Sequence, residues 1–142
     1  MRDAAVIEQS HDTELNVTRF VVRLDEGLIG FSEHKNFVFL ENPGFAPFRL
    51  LESVEPPKVG FVVIDPTILK PGYTDLIPVR EWETVGLTDP SKRLAFVTVA
   101  LGSTPQDSTA NLLAPILINY ETMTARQVIL SGAALSAKHR LL

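Results

Sequence analysis

Ala114-Pro115-Ile116-Leu117-Ile118-Asn119-Tyr120-Glu121-Thr122-Met123-Thr124-Ala125-Arg126-Gln127-Val128-Ile129-Leu130 reads as two β-strands folded back on each other. Two apolar, β-forming runs flank the short turn Glu121-Thr122-Met123, and so short a connection admits only antiparallel neighbours. Pro115 stands at the start of its run, where a missing N–H leaves no ladder bond unmade. The rest of the chain repeats this pattern upstream. In Val17-Thr18-Arg19-Phe20-Val21-Val22-Arg23-Leu24, the residues Thr18, Phe20, Val22 and Leu24 share one face, with Arg19, Val21 and Arg23 on the other. Asn36 to Glu41 is a second apolar run, stopped by Asn42-Pro43-Gly44, where Pro fixes φ and Gly permits its positive values. Phe48 to Val54 is a third, ended by Glu55-Pro56-Pro57. Gly60-Phe61-Val62-Val63-Ile64 is apolar on both faces, which predicts a central strand closed by Asp65-Pro66. Leu94 to Leu101 is the next strand, and Gly102 to Ser108 a loop.

Between these strands the spacing changes. Val79, Trp82 and Val85 recur at helical intervals after Pro78, which predicts a short helix over 79–86 that packs Trp82 onto the sheet. Asp89-Pro90-Ser91 is a turn or one helical turn, and Asp107 or Thr109 is positioned to cap a turn through Leu113. The tail from Ala133 to Leu142 has weak helical composition and no convincing apolar stripe, so it is a short helix or a loosely docked end. Many short strands with Gly/Pro turns and one or two short helices predict an all-β fold. The expectation is a small antiparallel barrel-like single domain over residues 1–142.

Composition narrows the function. The chain has 142 residues, no cysteine and a formal charge of −4. The missing thiols exclude a disulfide framework, a thiolate zinc site and a cysteine nucleophile. Lys and Arg are scattered, so the chain lacks the electrostatic footprint of a nucleic-acid binder, and a charged partner would be basic. No run of about 18 apolar residues offers a membrane span. Residues 1–8 lack the apolar core of a secretory signal, which points to the cytoplasm.

The residues that carry chemistry are dispersed. His11, His34 and His139 have no metal-ligand spacing and read as solvent-facing. No Gly-x-Ser-x-Gly elbow occurs. Gly27-Leu28-Ile29-Gly30-Phe31 lacks the Lys-Ser/Thr end of a phosphate loop and reads as a structural turn. Asp25-Glu26 and Glu81/Glu83 read as solvated acids, and Phe37, Phe39, Phe45 and Phe48 as packed core. No catalytic, cofactor-binding or metal-ligating set is expected, and the protein is expected not to be an enzyme.

The order of these segments resembles the flagellar assembly factor FliW family over nearly the whole chain. Glu26-Gly27-Leu28-Ile29-Gly30-Phe31 is similar to the family's Glu-Gly-Leu-Pro-Gly-Phe, and Pro47-Phe48-Arg49-Leu50-Leu51-Glu52-Ser53-Val54 to Pro-Phe-x-x-Leu-Gln-Ser-Val. Phe61 to Pro66, Thr109 to Asn119 and Arg126 to Leu130 follow in register. Ile29 replaces the usual proline and Glu52 the usual glutamine, and the tail follows the family's Arg-His-Pro-Leu ending only loosely. The resemblance implies a protein that binds flagellin and the RNA-binding repressor CsrA, and that relieves CsrA repression of flagellin translation by partner exchange. It implies no direct nucleic-acid or membrane contact and a monomer when free. Candidate partner contacts are Glu52, Ser53, Asp65 and Pro66, near strand ends, together with Asn111, whose side chain also suits a bond within its own loop. The competing reading is a barrel that binds or turns over a small molecule in an interior cavity.

Overall fold

The computed structural model describes residues 10–12, 17–131 and 134–142; the reading of residues 1–8 lies outside it. An antiparallel meander runs through β2 (Val17–Arg23), β3 (Asn36–Glu41), β4 (Phe48–Ser53), β5 (Gly60–Ile64) and β6 (Ala95–Ala100), with β1 (Ser10–Asp12) added to the start of β2. Two short helices, α1 (Pro66–Leu69) and α2 (Val79–Glu83), fall between β5 and β6. After β7 (Thr109–Ala110) comes the opening hairpin, β8 (Ile116–Asn119) and β9 (Thr124–Gln127). It closes the sheet: Ala95 and Phe96 of β6 pair with Leu117 and Ile116, and β9 meets β2 in parallel at Thr124 and Arg23. The result is a closed seven-stranded barrel with two short helices, as the strand count anticipated.

Alternation along each strand fills the interior. Phe20 stands opposite Phe39, Phe39 opposite Leu51, and Leu51 opposite Phe61. Phe39 lies 5.0 Å from both the Phe20 and the Phe96 rings. Phe20, Val22 and Leu24 are buried together, as their shared face predicted. At one end of the interior, Arg49 lies over the Phe96 ring at 5.1 Å and pairs with Glu41 at 2.5 Å. A small barrel packed this way has side chains where a ligand would go.

The second buried layer lies outside the barrel. Phe96 faces inward while Ala95 and Val97 are buried with Tyr73, Ile77, Trp82, Val85 and Leu87; Ile116 and Ile118 face inward and Leu117 outward. Two-sided burial, expected for 60–64, therefore belongs chiefly to β6 and β8. In β5 only Val63 and Ile64 are buried, because the covering segment follows that strand and folds over its neighbours. α2 is shorter than the expected 79–86: after Glu83 the chain turns through Gly86 at φ +76, and Leu87 N–H bonds back to Trp82 O at 3.0 Å. Trp82 is fully buried with Arg93 over its ring at 5.6 Å.

Other expectations are corrected. Phe45 is exposed on the Pro43–Phe45 turn, its ring 5.8 Å from that of Phe48, whereas Phe48 is packed as expected, though against the outer core and not in the barrel interior. His34 is not solvent-facing. It is buried, with Nε2 2.8 Å from Pro57 O and its ring edge-on to Phe31. His139 is half-buried, and the side chain of His11 lies outside the described residues. Among the described residues the tail forms no helix: it is an end docked through Leu135 and Leu141 with a two-residue strand, β10 (His139–Arg140), paired with β7.

The outer layer depends on Trp82 and Tyr73. Trp82→Ala is expected to destabilise the fold by about 3–5 kcal/mol, read from urea unfolding followed by circular dichroism. The buried Tyr73 hydroxyl donates to Leu112 O, and burial pushes its phenol well above the usual tyrosine range. Tyr73→Phe should cost about 1–3 kcal/mol, since the Leu112 carbonyl loses its donor. The sign with pH follows: an unfolded tyrosine ionises near pH ~10 while the folded one stays neutral, so stability falls above that pH. Tyr73→Phe should make that fall shallower, checked by urea midpoints at neutral pH and above pH ~10.

Candidate docking surfaces

Two sequence blocks far apart in the chain meet on the outside of β9. The turn after Leu24 doubles back through Gly27, whose φ is +67 and where an added Cβ would stand 2.6 Å from Phe31 O and 2.7 Å from Ser32 Cα. Only glycine fits there. The turn buries Leu28 in the barrel interior and presents Ile29 to solvent. Ile29 N–H donates to Gln127 Oε1 at 2.8 Å, and Gln127 Nε2 donates to Ala114 O at 3.0 Å. Arg126 Nε lies 2.9 Å from Glu26 Oε1, an ion pair too oblique for a hydrogen bond. Glu26, Ile29, Arg126 and Gln127, with Glu81 and Ile129, line a groove of about 370 Å³ of mixed polar and apolar character.

A second depression is larger and apolar. Pro47, Phe48, Ile64, Ile68, Leu69 and Leu101 share a cleft of about 550 Å³ with Leu141 and Leu142. Ile68 is 55% exposed and Leu101 59%. One side of the cleft is shaped by the 102–108 loop, where an added Cβ at Gly102 would meet Asp107 Cβ at 2.5 Å. Gly102 N–H donates to Ser108 Oγ at 3.0 Å, and Thr104 Oγ1 to Asp107 Oδ2 at 2.9 Å. Asp107 therefore ties its own loop and does not cap the turn through Leu113. Beyond the cleft an apolar row crosses the outer face of the sheet: Leu40 stands opposite Leu50, Leu50 opposite Val62, and Val62 opposite Val99, all half-buried.

The residues singled out in sequence do not form one site. Glu52 is exposed on the outer face, in a hollow with Arg19, Val38, Leu40 and Lys58. Ser53, next to it, is buried: its Oγ accepts from Val59 N–H at 2.8 Å and donates to Glu55 O at 3.2 Å, which clamps the β4–β5 turn. Asp65 caps α1, its Oδ1 accepting from Thr67 N–H at 2.9 Å, and Pro66 is buried as the first residue of that helix. Both flank Ile64 and Ile68 of the cleft. Asn111 Oδ1 accepts from Leu113 N–H at 3.0 Å, a bond within its own loop. Sequence reasoning missed Ile68, Leu69, Leu101 and Leu142, which follow no period, and Asn119. Asn119 is buried, with Oδ1 accepting from Glu121 N–H at 2.9 Å and Nδ2 donating to Val85 O at 2.7 Å, so it ties the closing hairpin to the outer layer. Among the described residues no three His, Asp or Glu side chains converge on a metal-sized space, and no helix is long and apolar enough to cross a membrane.

A filled seven-stranded barrel with a helical outer layer and an open apolar cleft defines a small β-barrel protein whose accessible features lie on its outside. Residues 6–141 match the family described as "FliW protein", and the chain belongs to the FliW family. The flagellar assembly factor FliW of Leptospira interrogans serovar Lai is 36% identical over 125 residues, covering 87% of this chain and 83% of that one. That of Caldanaerobacter subterraneus subsp. tengcongensis is 37% identical over 123 residues, covering 86% and 82%. A crystal structure of the flagellar assembly factor FliW superposes with a TM-score of 0.76 at 35% identity, covering 86% of this chain and 85% of the other.

The two glycines of the turn separate two costs. At Gly30 φ is +85 but an added Cβ meets nothing within 4 Å, so Gly30→Ala should cost about 1–2 kcal/mol of backbone strain. Gly27→Ala adds a backbone collision to the same strain and should cost about 3 kcal/mol or more. Urea denaturation of both variants checks the order, and equal losses would contradict the placement of Gly27.

Proposed function

We propose that this chain is a flagellar assembly factor that works in the cytoplasm by holding flagellin and CsrA, and that it is a monomer when free. Export of flagellin frees it to capture CsrA, which lifts CsrA repression of flagellin translation. The observation that carries this reading is the family match across residues 6–141. The surface supports it physically: the barrel interior is filled, while the apolar cleft and the groove beside Arg126 and Gln127 are separate outer surfaces. Occupancy by one protein then alters availability to another through mass action or coupling, and no chemistry is required. The net charge of −4 suits a basic RNA-binding partner, for which it would speed encounter. Glu52 and Asp65 are the proposed polar contacts; Ser53, Pro66 and Asn111 act by holding the backbone around them.

Purified chain, flagellin and CsrA, mixed pairwise and together on a sizing column, provide the test. Each pair should co-elute, and added flagellin should return CsrA to its RNA. Ile68→Asp with Leu101→Asp should weaken at least one of the two complexes tenfold or more while leaving the circular dichroism spectrum unchanged, because both side chains are more than half exposed. Absence of both complexes with wild-type protein sinks the proposal.

A further inference from the structure

The two outer surfaces differ in charge, and only one of them can tell a charged partner from a neutral one. No charged side chain lines the apolar cleft. The groove beside Gln127 is lined by two carboxylates, Glu26 and Glu81, and by one guanidinium, Arg126. Glu26 comes from the turn after Leu24 and is exposed; Glu81 comes from α2 and is half-buried. Arg126 meets Glu26 at 2.9 Å but too obliquely for a hydrogen bond, so the acceptor directions of that carboxylate stay open. Glu81 has no ion-pair partner among the described residues. A half-buried carboxylate in that condition has lost part of its water without a donor to replace it.

The rim supplies apolar surface beside these acids, with Ile29 55% exposed and Ile129 64%. Carboxylates flanked by aliphatic side chains match one residue type closely. The stem of an arginine packs along apolar surface, and its planar fork donates to carboxylates. Lysine brings only a point charge. An acidic segment would meet Glu26 and Glu81 as like charges. A purely apolar one would strip water from both carboxylates and return no hydrogen bond, so it is suited to the cleft instead. We infer that the groove is the docking site for an arginine-bearing segment of a basic protein, its guanidinium set between Glu26 and Glu81 and its stem against Ile29 and Ile129. This rests on the reading of the chain as a holder of flagellin and CsrA. It assigns the groove to CsrA, because a protein that holds RNA must present cations to phosphate.

Glu26→Gln with Glu81→Gln removes both charges and keeps the shape of each side chain. At low ionic strength this variant should hold CsrA about tenfold or more weakly in titration calorimetry, and flagellin within about twofold of wild type. The difference for CsrA should narrow as salt rises from about 50 mM to about 500 mM. Glu83→Gln with Asp75→Asn changes the net charge equally at two exposed acids outside the groove, and should leave CsrA affinity near that of wild type. Equal losses in the two double variants overturn the inference, since net charge and not the groove then governs binding. Undiminished CsrA affinity in the groove variant overturns it too, as does a matching loss for flagellin. Should the groove variant not fold, because Glu26 has left Arg126, Glu81→Gln alone breaks no ion pair. A loss of about threefold or more in CsrA affinity then supports the groove, and no loss overturns it. Failure of the wild-type chain to hold CsrA sinks the functional reading together with this inference, whereas a wild-type complex untouched by the groove variants sinks the inference alone.

Discussion

Leu117 lies opposite Ala95 and Thr124 opposite Arg23, and between those two contacts the β8–β9 hairpin spans the gap that the meander leaves open. Closure removes the unpaired edges that a five-stranded meander would present to other chains. It also seals the interior in which Phe39 meets the rings of Phe20 and Phe96. The hairpin turn is tuned for this task. Met123 takes a left-handed φ of 56, its carbonyl receives Arg23 N–H at 2.9 Å, and Asn119 folds the turn while reaching the outer layer at Val85. A side chain that costs free energy to bury is retained because it joins three elements at once.

Much of this was legible in sequence where one physical signal dominated. Period-two alternation placed Phe20, Val22 and Leu24 inside, and the turn chemistry of Asn42-Pro43-Gly44 and Asp65-Pro66 marked strand ends. What escaped depended on what covers a strand from outside. Val97 and Leu117 look like any strand residue, and only the Tyr73–Leu87 segment folding over them makes their strands two-sided. Phe45 has core composition but stands on an exposed turn, and Phe48 packs in the outer layer, not in the barrel interior. His34 is polar by type and buried by its carbonyl partner at Pro57. The candidate surfaces were the least legible, because Ile68 comes from a short helix, Leu101 from the end of a strand and Leu142 from the tail, and no spacing rule links them. Two of the motif blocks, Glu26–Phe31 and Arg126–Leu130, prove to be neighbours, which their order in the chain did not indicate.

That neighbourhood bears on the position at which the resemblance gives the family a proline. This chain has Ile29, and its N–H is bonded to Gln127 Oε1. Proline has no such donor. The substitution therefore exchanges a fixed φ for a hydrogen bond across the groove, and leaves an apolar side chain 55% exposed on the same surface. The turn is held here by a hydrogen bond across the groove, with an apolar side chain standing beside it.

Trp82 is the only indole in the chain, and the barrel interior is lined by phenylalanines. Ultraviolet emission excited at the red edge therefore reports on the outer layer alone. A blue-shifted spectrum belongs to the state in which Arg93 and the helical segment enclose the ring. Should the layer lift while the strands remain paired, the emission would move to the red with little change in far-ultraviolet ellipticity. The molecule thus carries its own optical means of separating events on its covering segment from events in its sheet.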